Sequence, residues 1–127
     1  MAKSEDKIAW RSVCPICSGL DVLGDKWTML IIRDLIIQGP RTYSELLESP
    51  EQISTNILAN RLEVLVSLKL IERVDPEKSA RNNAFKLTEG GAALRPVLEG
   101  LSIWASTHLK EFHSRIISAS PKRIKGK

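Results

Sequence analysis

The segment of residues 41–74 constrains the fold most, because its pattern predicts two helices separated by a break. Thr42 is followed three residues later by Glu45, a capping-box spacing that predicts the start of a short helix. Ser49-Pro50 ends that helix, and Ser54 is the predicted N-cap of a longer one.

The longer helix is predicted to have one apolar side and one polar side. Leu58, Leu62 and Leu65 follow the i, i+4, i+7 spacing of an apolar stripe. The opposite side carries mainly small polar groups, with Ala59 at its edge: Asn56, Asn60, Glu63 and Ser67. Such a helix beside a shorter one is typical of a helix-turn-helix that reads the major groove of DNA. The sequence therefore predicts a helix-turn-helix over residues 42–67.

A β-hairpin is predicted directly after this unit. Residues 70–74 and 84–87 alternate in polarity as strands do, and they flank a polar loop that contains Lys78 and Arg81. A hairpin in this position is a wing, spanning residues 70–88. Its two bases either contact DNA phosphates or a minor groove, or act as ordinary solubilising loop residues.

Helices are predicted on both sides of the helix-turn-helix. The first spans residues 13–24, and Asp25 caps a second, almost wholly apolar helix that forms the centre of the core. The last spans residues 88–117 as one long helix with a bend at Pro96.

This last helix has more apolar surface than a small domain can cover, which predicts a symmetric dimer interface. The predicted interface residues are Ile16, Leu20, Leu101, Trp104, His108 and Phe112. Residues 1–12 are predicted to be a flexible arm and residues 118–127 a disordered basic tail.

Charge and composition narrow the function classes. The formal net charge is +4, with a pI of about 9.3, but four of the 19 bases lie in the last seven residues. Without them the remaining 15 bases balance 15 acids, so the case for DNA depends on where charges lie. The most apolar run, residues 27–37, contains Arg33 and Asp34 and is far shorter than the roughly 20 residues of a membrane span. No secretory leader is recognisable, so the predicted location is the cytoplasm.

We predict no enzyme, cofactor or metal site. Paired carboxylates, a Ser-His-Asp pattern and a glycine-rich phosphate loop are all absent from the sequence. Cys14-x-x-Cys17 has the spacing of a zinc half-site or a redox pair, but a structural zinc needs four ligands and the two histidines are distant in the sequence. The cysteines are therefore either thiols made reactive by a helix N-terminus, or small apolar side chains.

Several motifs together resemble the HxlR-type bacterial transcription regulators, which are similar to the MarR-type winged-helix proteins. They cover residues 13–110 and include Cys14-Pro15, Gly24-Asp25-Lys26-Trp27, Gly39-Pro40-Arg41-Thr42-Tyr43-Ser44-Glu45-Leu46, Arg61-Leu62, Leu87-Thr88 and Pro96-Val97-Leu98. The resemblance implies a mainly α winged helix-turn-helix with a small β-hairpin wing, and a homodimer built from N- and C-terminal helices. It also implies binding to a palindromic site in double-stranded DNA, and a redox- or electrophile-sensing role for Cys14. Where the family usually has glycine after the recognition helix this chain has Lys69, which is expected to hold a positive φ.

The expected DNA-binding residues lie on the helix-turn-helix and the wing: Thr42, Ser54, Thr55, Asn56, Ala59, Asn60, Arg61, Lys78 and Arg81. The asparagines either pair with adenine or are solvated surface amides, and Arg61 is equally a candidate for a structural salt bridge. Any effector, whether a small molecule or an oxidant, would act by changing the spacing of the two recognition helices. The alternative hypothesis is a winged-helix module for protein–protein contact without specific DNA binding.

Overall fold

A computed structural model describes residues 8–77 and 83–118, and within these ranges the chain forms six helices and three short strands. In chain order they are α1 (Pro15–Leu23), α2 (Thr28–Gln38), β1 (Arg41–Thr42), α3 (Tyr43–Leu46), α4 (Thr55–Ser67), β2 (Ile71–Arg73), β3 (Ala84–Leu87), α5 (Glu89–Ala92) and α6 (Arg95–His108). This is the predicted winged helix-turn-helix, with α3 and α4 as the two helices of the motif. No helix in the described ranges has both the length and the apolar character needed to cross a bilayer.

The predicted caps of α3 and α4 are confirmed. The Thr42 hydroxyl accepts the Glu45 backbone N–H at 3.1 Å, and the Glu45 carboxylate accepts the Thr42 N–H at 2.9 Å. That second bond holds the pKa of Glu45 below its usual range. The Ser54 hydroxyl accepts the Ile57 N–H at 3.2 Å, so α4 begins where the sequence predicted.

The three strands form an antiparallel sheet in the order β1-β3-β2. Ile71 pairs with Leu87 and Arg73 with Phe85, which gives the predicted hairpin. On its other side β3 pairs with β1, where Arg41 faces Phe85. The two-residue strand β1 was not predicted, because two residues are too few to show an alternating pattern.

The core lies between α2, α4 and the sheet. Its buried apolar side chains come from six of the nine elements (α2, α3, α4, β2, β3 and α6) and from the turn before α4: Ile31, Ile32, Leu35, Ile36, Leu46, Ile53, Leu58, Leu62, Leu65, Ile71, Phe85 and Leu98. Four of the twelve belong to α2, as its apolar sequence predicted. The three predicted leucines of α4 are all buried, so its opposite side faces solvent.

Two turns hold the wing in place. The chain leaves α4 through Lys69, whose φ of 62° confirms the predicted left-handed conformation. At the base of the wing, the buried Asn83 side chain makes two hydrogen bonds with the backbone of Asp75. Its oxygen accepts the Asp75 N–H at 3.0 Å, and its NH₂ group donates to the Asp75 carbonyl. The loop tip with Lys78 and Arg81 lies outside the described residues.

The prediction of one long C-terminal helix over residues 88–117 is wrong. Thr88 caps only the short α5, the chain turns at residues 93–94, and α6 then runs to His108. Pro96 does not bend a helix but lies in the first turn of α6, where its missing N–H needs no partner. Residues 109–118 contain turns but no helix, so the apolar period of the sequence continues beyond the end of α6.

The part of the N-terminal arm that the structure describes, residues 8–12, lies against α1. The Arg11 guanidinium donates to the Asp21 carboxylate at 2.6 Å, and the Arg11 backbone N–H donates to it at 3.1 Å. The backbone bond and then the guanidinium hold the pKa of Asp21 below its usual value. Residues 1–7 and 119–127, with most of the predicted arm and tail, lie outside the described residues.

Candidate nucleic-acid interface

The outer side of α4 gathers five of the predicted DNA-binding residues on one exposed surface. We call this surface the polar face of α4 and define it as Ser54, Thr55, Asn56, Ala59 and Asn60. Its residues come from the first two turns of the helix, where backbone N–H groups and short polar side chains point outward. The buried leucines hold the other side of α4 against the core, so this face is presented outward as one rigid unit.

The helix α3 is tied directly to the start of α4. The Tyr43 hydroxyl donates to the Thr55 carbonyl at 3.0 Å, across the turn between the two helices. Thr42, the remaining residue predicted on the motif, is half-buried and has its hydroxyl engaged in the cap of α3. Thr42 therefore lies beside the polar face rather than on it.

Arg61 forms the structural salt bridge that the sequence left open. Its Nε lies 2.9 Å from the Asp25 carboxylate, which also accepts the backbone N–H groups of Trp27 and Thr28 at the start of α2. Burial alone would raise the pKa of Asp25, but the bonds from Thr28, Arg61 and these N–H groups outweigh it and lower that pKa. The N-cap of α2 is Trp27 rather than the predicted Asp25, which lies two residues earlier and accepts the N–H groups of Trp27 and Thr28. The bridge therefore joins α4 to the turn that precedes α2.

A second ion pair stabilises the turn between α3 and α4. The sequence did not predict this pair. Arg33 on α2 contacts both oxygens of Glu51 at 2.9 Å and the hydroxyl of Ser49 at 3.2 Å. The bond from Arg33 lowers the pKa of Glu51 to about 2. The neighbouring Gln52 has a φ of 65°, so this turn holds a left-handed residue next to the ion pair. No sequence spacing connects Arg33 to residues 16 and 18 positions away.

The sheet adds a cation beside the polar face. Arg73, at the end of β2, is exposed and stacks its guanidinium 5.8 Å from the centre of the Phe85 ring. It borders an open cavity of about 470 Å³ between α4 and the sheet, which Tyr43, Ala59 and Glu63 also line. Arg73 was not among the predicted DNA contacts. The sequence signal that could have indicated it was its position as a basic residue in the first strand of the predicted wing.

The two cysteines differ in accessibility. Cys14 is exposed at the N-cap position of α1, where the Ser12 hydroxyl accepts its backbone N–H at 3.1 Å, and Cys17 is half-buried one turn later. Within residues 8–77 and 83–118, no three histidine, cysteine or acidic side chains come together as a potential metal site.

Large apolar side chains of α1, of α6 and of the residues that follow α6 remain exposed. Ile16 and Leu20 on α1 are 75% and 55% exposed, Leu101 and Trp104 on α6 are 50% and 54%, and Phe112 is 80%. The predicted interface residue His108 is also exposed, with its ring 6.0 Å from the ring of Trp104. The predicted interface residues thus all lie at the surface of the single chain.

A capped two-helix motif followed by a short antiparallel hairpin defines this protein as a winged helix-turn-helix protein. The family model for the HxlR-like helix-turn-helix matches residues 22–113. The chain belongs to the HxlR family, and it is a transcriptional regulator of the HxlR/MarR type from a family that binds DNA.

Individual relatives agree with this assignment. The chain is 33% identical over 95 residues to the transcriptional regulator YodB of Bacillus subtilis, covering 74% of this chain and 84% of YodB. It is 34% identical over 100 residues to the uncharacterized regulator sll1512 of Synechocystis, covering 78% and 73% of the two chains. The solved structure of reduced YodB superposes with a TM-score of 0.65 at 32% identity, covering 79% of this chain and 98% of YodB. The reduced redox regulator HypR, at 23% identity and a TM-score of 0.69 over 80% of this chain and 99% of its own, shares the fold.

Proposed function

We propose that this regulator binds a palindromic promoter site as a homodimer, with the polar face of α4 from each protomer in a major groove. The observation that carries the proposal is the combination on α4 of buried leucines and an exposed surface of small hydroxyl, amide and methyl groups. Amide side chains at the start of a recognition helix suit base edges, and hydroxyls and helix N-terminal N–H groups suit phosphates. The phosphate backbone of the DNA would be contacted by three basic residues of the wing: Arg73, Lys78 and Arg81.

Dimerisation through α1, α6 and the residues that follow α6 supplies the second half of this proposal. A dimer covers the exposed apolar side chains of these segments, which a single chain leaves in water. Two-fold symmetry then places the two α4 helices in successive major grooves, about 34 Å apart. The expected operator is an inverted repeat with half-site centres one helical turn apart.

A footprint on the promoter beside the chain's own gene tests this proposal. We expect protection of two symmetric half-sites, and affinity that falls steeply as salt concentration rises because bound cations are released from the DNA. An unrelated fragment of equal length is the control. Absence of a footprint together with salt-independent behaviour would contradict the proposal and favour a protein–protein contact module.

We further propose that Cys14 makes DNA binding responsive to electrophiles or oxidants. Solved structures include quinone-bound and diamide-treated forms of YodB. Here the exposed Cys14 sulfur would add to a ring carbon of a quinone. The thiol proton would pass to one quinone oxygen and the hydrogen of the attacked carbon to the other, which gives a thioether-linked hydroquinone. The adduct lies on α1, beside the exposed apolar side chains proposed to form the dimer interface, so it would alter the spacing of the α4 helices.

Replacing Cys14 tests the sensing role. Quinone should release the wild-type protein from its operator and leave Cys14→Ser bound, because the variant lacks the reacting sulfur. Cys17→Ser is the matched control and should still respond. Release of Cys14→Ser by quinone, measured by fluorescence anisotropy, would show that the sensor lies elsewhere.

A further inference from the structure

Arg61 connects Asp25, which precedes α2, with Asn60 on the polar face of α4. Its Nε donates to the Asp25 carboxylate at 2.9 Å, and its Nη1 donates to the side-chain oxygen of Asn60. A guanidinium has only donors, so the Asn60 oxygen must face Arg61 and the Asn60 NH₂ group must point away from it. The orientation of this amide is therefore set by its neighbour.

Asp25 is held in turn by the start of α2. Its carboxylate accepts the N–H of Trp27 at 2.9 Å, the N–H of Thr28 at 3.0 Å and the Thr28 hydroxyl at 2.5 Å. Thr28 is buried, so a chain of hydrogen bonds runs from the core through Asp25 and Arg61 to Asn60. A side chain ordered in advance loses less entropy when it binds a base.

This orientation favours one kind of base edge as the partner of Asn60. A bidentate contact with adenine needs the amide oxygen and nitrogen side by side, because adenine offers N7 as acceptor and N6 as donor. Arg61 occupies one of the two acceptor positions of the Asn60 oxygen, and its positive charge there disfavours the approach of a second donor such as adenine N6–H, whereas both N–H donors of Asn60 point away from Arg61. Guanine presents two acceptors, N7 and O6, to the major groove.

We propose that Asp25 and Arg61 are positioning residues that make Asn60 a hydrogen-bond donor for guanine instead of a reader of adenine. The inference rests on the proposed placement of α4 in the major groove. Asn56, one turn earlier on the same face, lies outside this chain of bonds and serves as the internal comparison.

The variant Arg61→Lys removes the link to Asn60 without changing the charge beside Asp25. Lysine ends in one ammonium group and cannot bridge Asp25 and Asn60 as a guanidinium does. The measurement is the affinity of wild-type protein, Arg61→Lys, Asn60→Ala and Asn56→Ala for operator fragments in which each base pair is replaced in turn. Thermal unfolding of every variant establishes that it is folded.

We expect the wild type to prefer guanine at one symmetric pair of operator positions, and Asn60→Ala to lose that preference. Arg61→Lys should shift the preference towards adenine at this position alone, by roughly fivefold or more. Asn56→Ala should change a different position. Asp25→Asn, which keeps an oxygen for the N–H groups at the start of α2 but weakens the anchor of Arg61, should shift the preference in the same direction.

Five results would overturn the inference. The first is an equal loss of affinity by Arg61→Lys for every fragment, which would make Arg61 a phosphate contact. The second is a guanine preference that Arg61→Lys leaves unchanged, and the third is a wild-type preference for adenine at the Asn60 position. A wild-type protein that favours no fragment over unrelated DNA would overturn the proposed function as well, whereas a specific profile unaffected by Asn60→Ala would overturn only this inference.

Discussion

Gly91 shows how a single residue determines the placement of the wing. A Cβ added at this buried glycine would lie 2.0 Å from the Leu70 carbonyl oxygen, a backbone atom that cannot move aside cheaply. The residue therefore lets α5 approach the start of β2. Its identity follows from this close approach, because its backbone does not need a positive φ.

Gly91→Ala should lower the free energy of unfolding by about 2 kcal/mol or more through this overlap. Gly100→Ala is the matched control: it lies inside α6 with nothing within 4 Å of its added Cβ, and should be neutral or stabilising by up to about 1 kcal/mol. Urea unfolding at one fixed protein concentration measures both. Equal stability of Gly91→Ala and wild type would contradict the packing described here.

The Arg33–Glu51 ion pair makes stability depend on acid pH. Pairing lowers the pKa of Glu51 from 4.5 to about 2, so the folded state binds fewer protons than the unfolded state between these values. The pair's contribution is complete above about pH 4.5 and is lost as the pH falls towards 2. Because Glu51 is partly exposed, we expect its size to be about 1 kcal/mol.

Glu51→Gln should remove this acid-dependent loss and give a flatter curve of stability against pH from 5 to 2. Glu48→Gln, at an exposed position close to the same turn, should retain the wild-type slope. Urea unfolding followed by circular dichroism provides the curves, because urea is uncharged and does not screen the ion pair. If all three proteins had the same slope, the ion pair would not contribute to acid sensitivity.

Among the elements, α4 depends on its first turn for stability, and the proposed contact with DNA uses the same turn. Ser54→Ala removes the hydroxyl that accepts the Ile57 N–H and should cost about 1 kcal/mol. Ser44→Ala, at an exposed position within α3, should change stability little. Hydrogen exchange of the α4 amides would show whether the first turn frays in the Ser54 variant as expected; unchanged protection would contradict the role of this cap.

The elements differ in how far the sequence predicted them. The caps at Thr42 and Ser54 and the hairpin were predictable because each depends on residues close together in the chain. The left-handed Lys69 was expected from the family resemblance, because the family usually has glycine at that position. The break between α5 and α6 was not, because apolar side chains keep a helical period across residues 93–94 although the backbone turns there. The Asp25–Arg61 bridge joins residues 36 positions apart, and only the fold brings them together.

At the scale of the whole molecule, large apolar side chains on α1 and α6 remain exposed to solvent, and packing within a single chain does not account for this exposure. Trp104→Glu places a charge in the proposed interface and should convert a dimer into a monomer, with loss of operator binding. Val74→Glu, on the wing and of similar exposure, should leave the mass unchanged. Sedimentation equilibrium distinguishes the two outcomes, and a Trp104→Glu protein that remained dimeric would contradict the proposed interface.

The proposed recognition of DNA depends on the polar face of α4 meeting base edges. The most direct measurement is the affinity of Asn56→Ala/Asn60→Ala for the footprinted promoter fragment, beside the surface control Glu48→Ala and with unfolding curves for each. We predict a loss of at least roughly tenfold for the double variant and none for the control. A folded double variant that binds the fragment as tightly as the wild type would contradict the account.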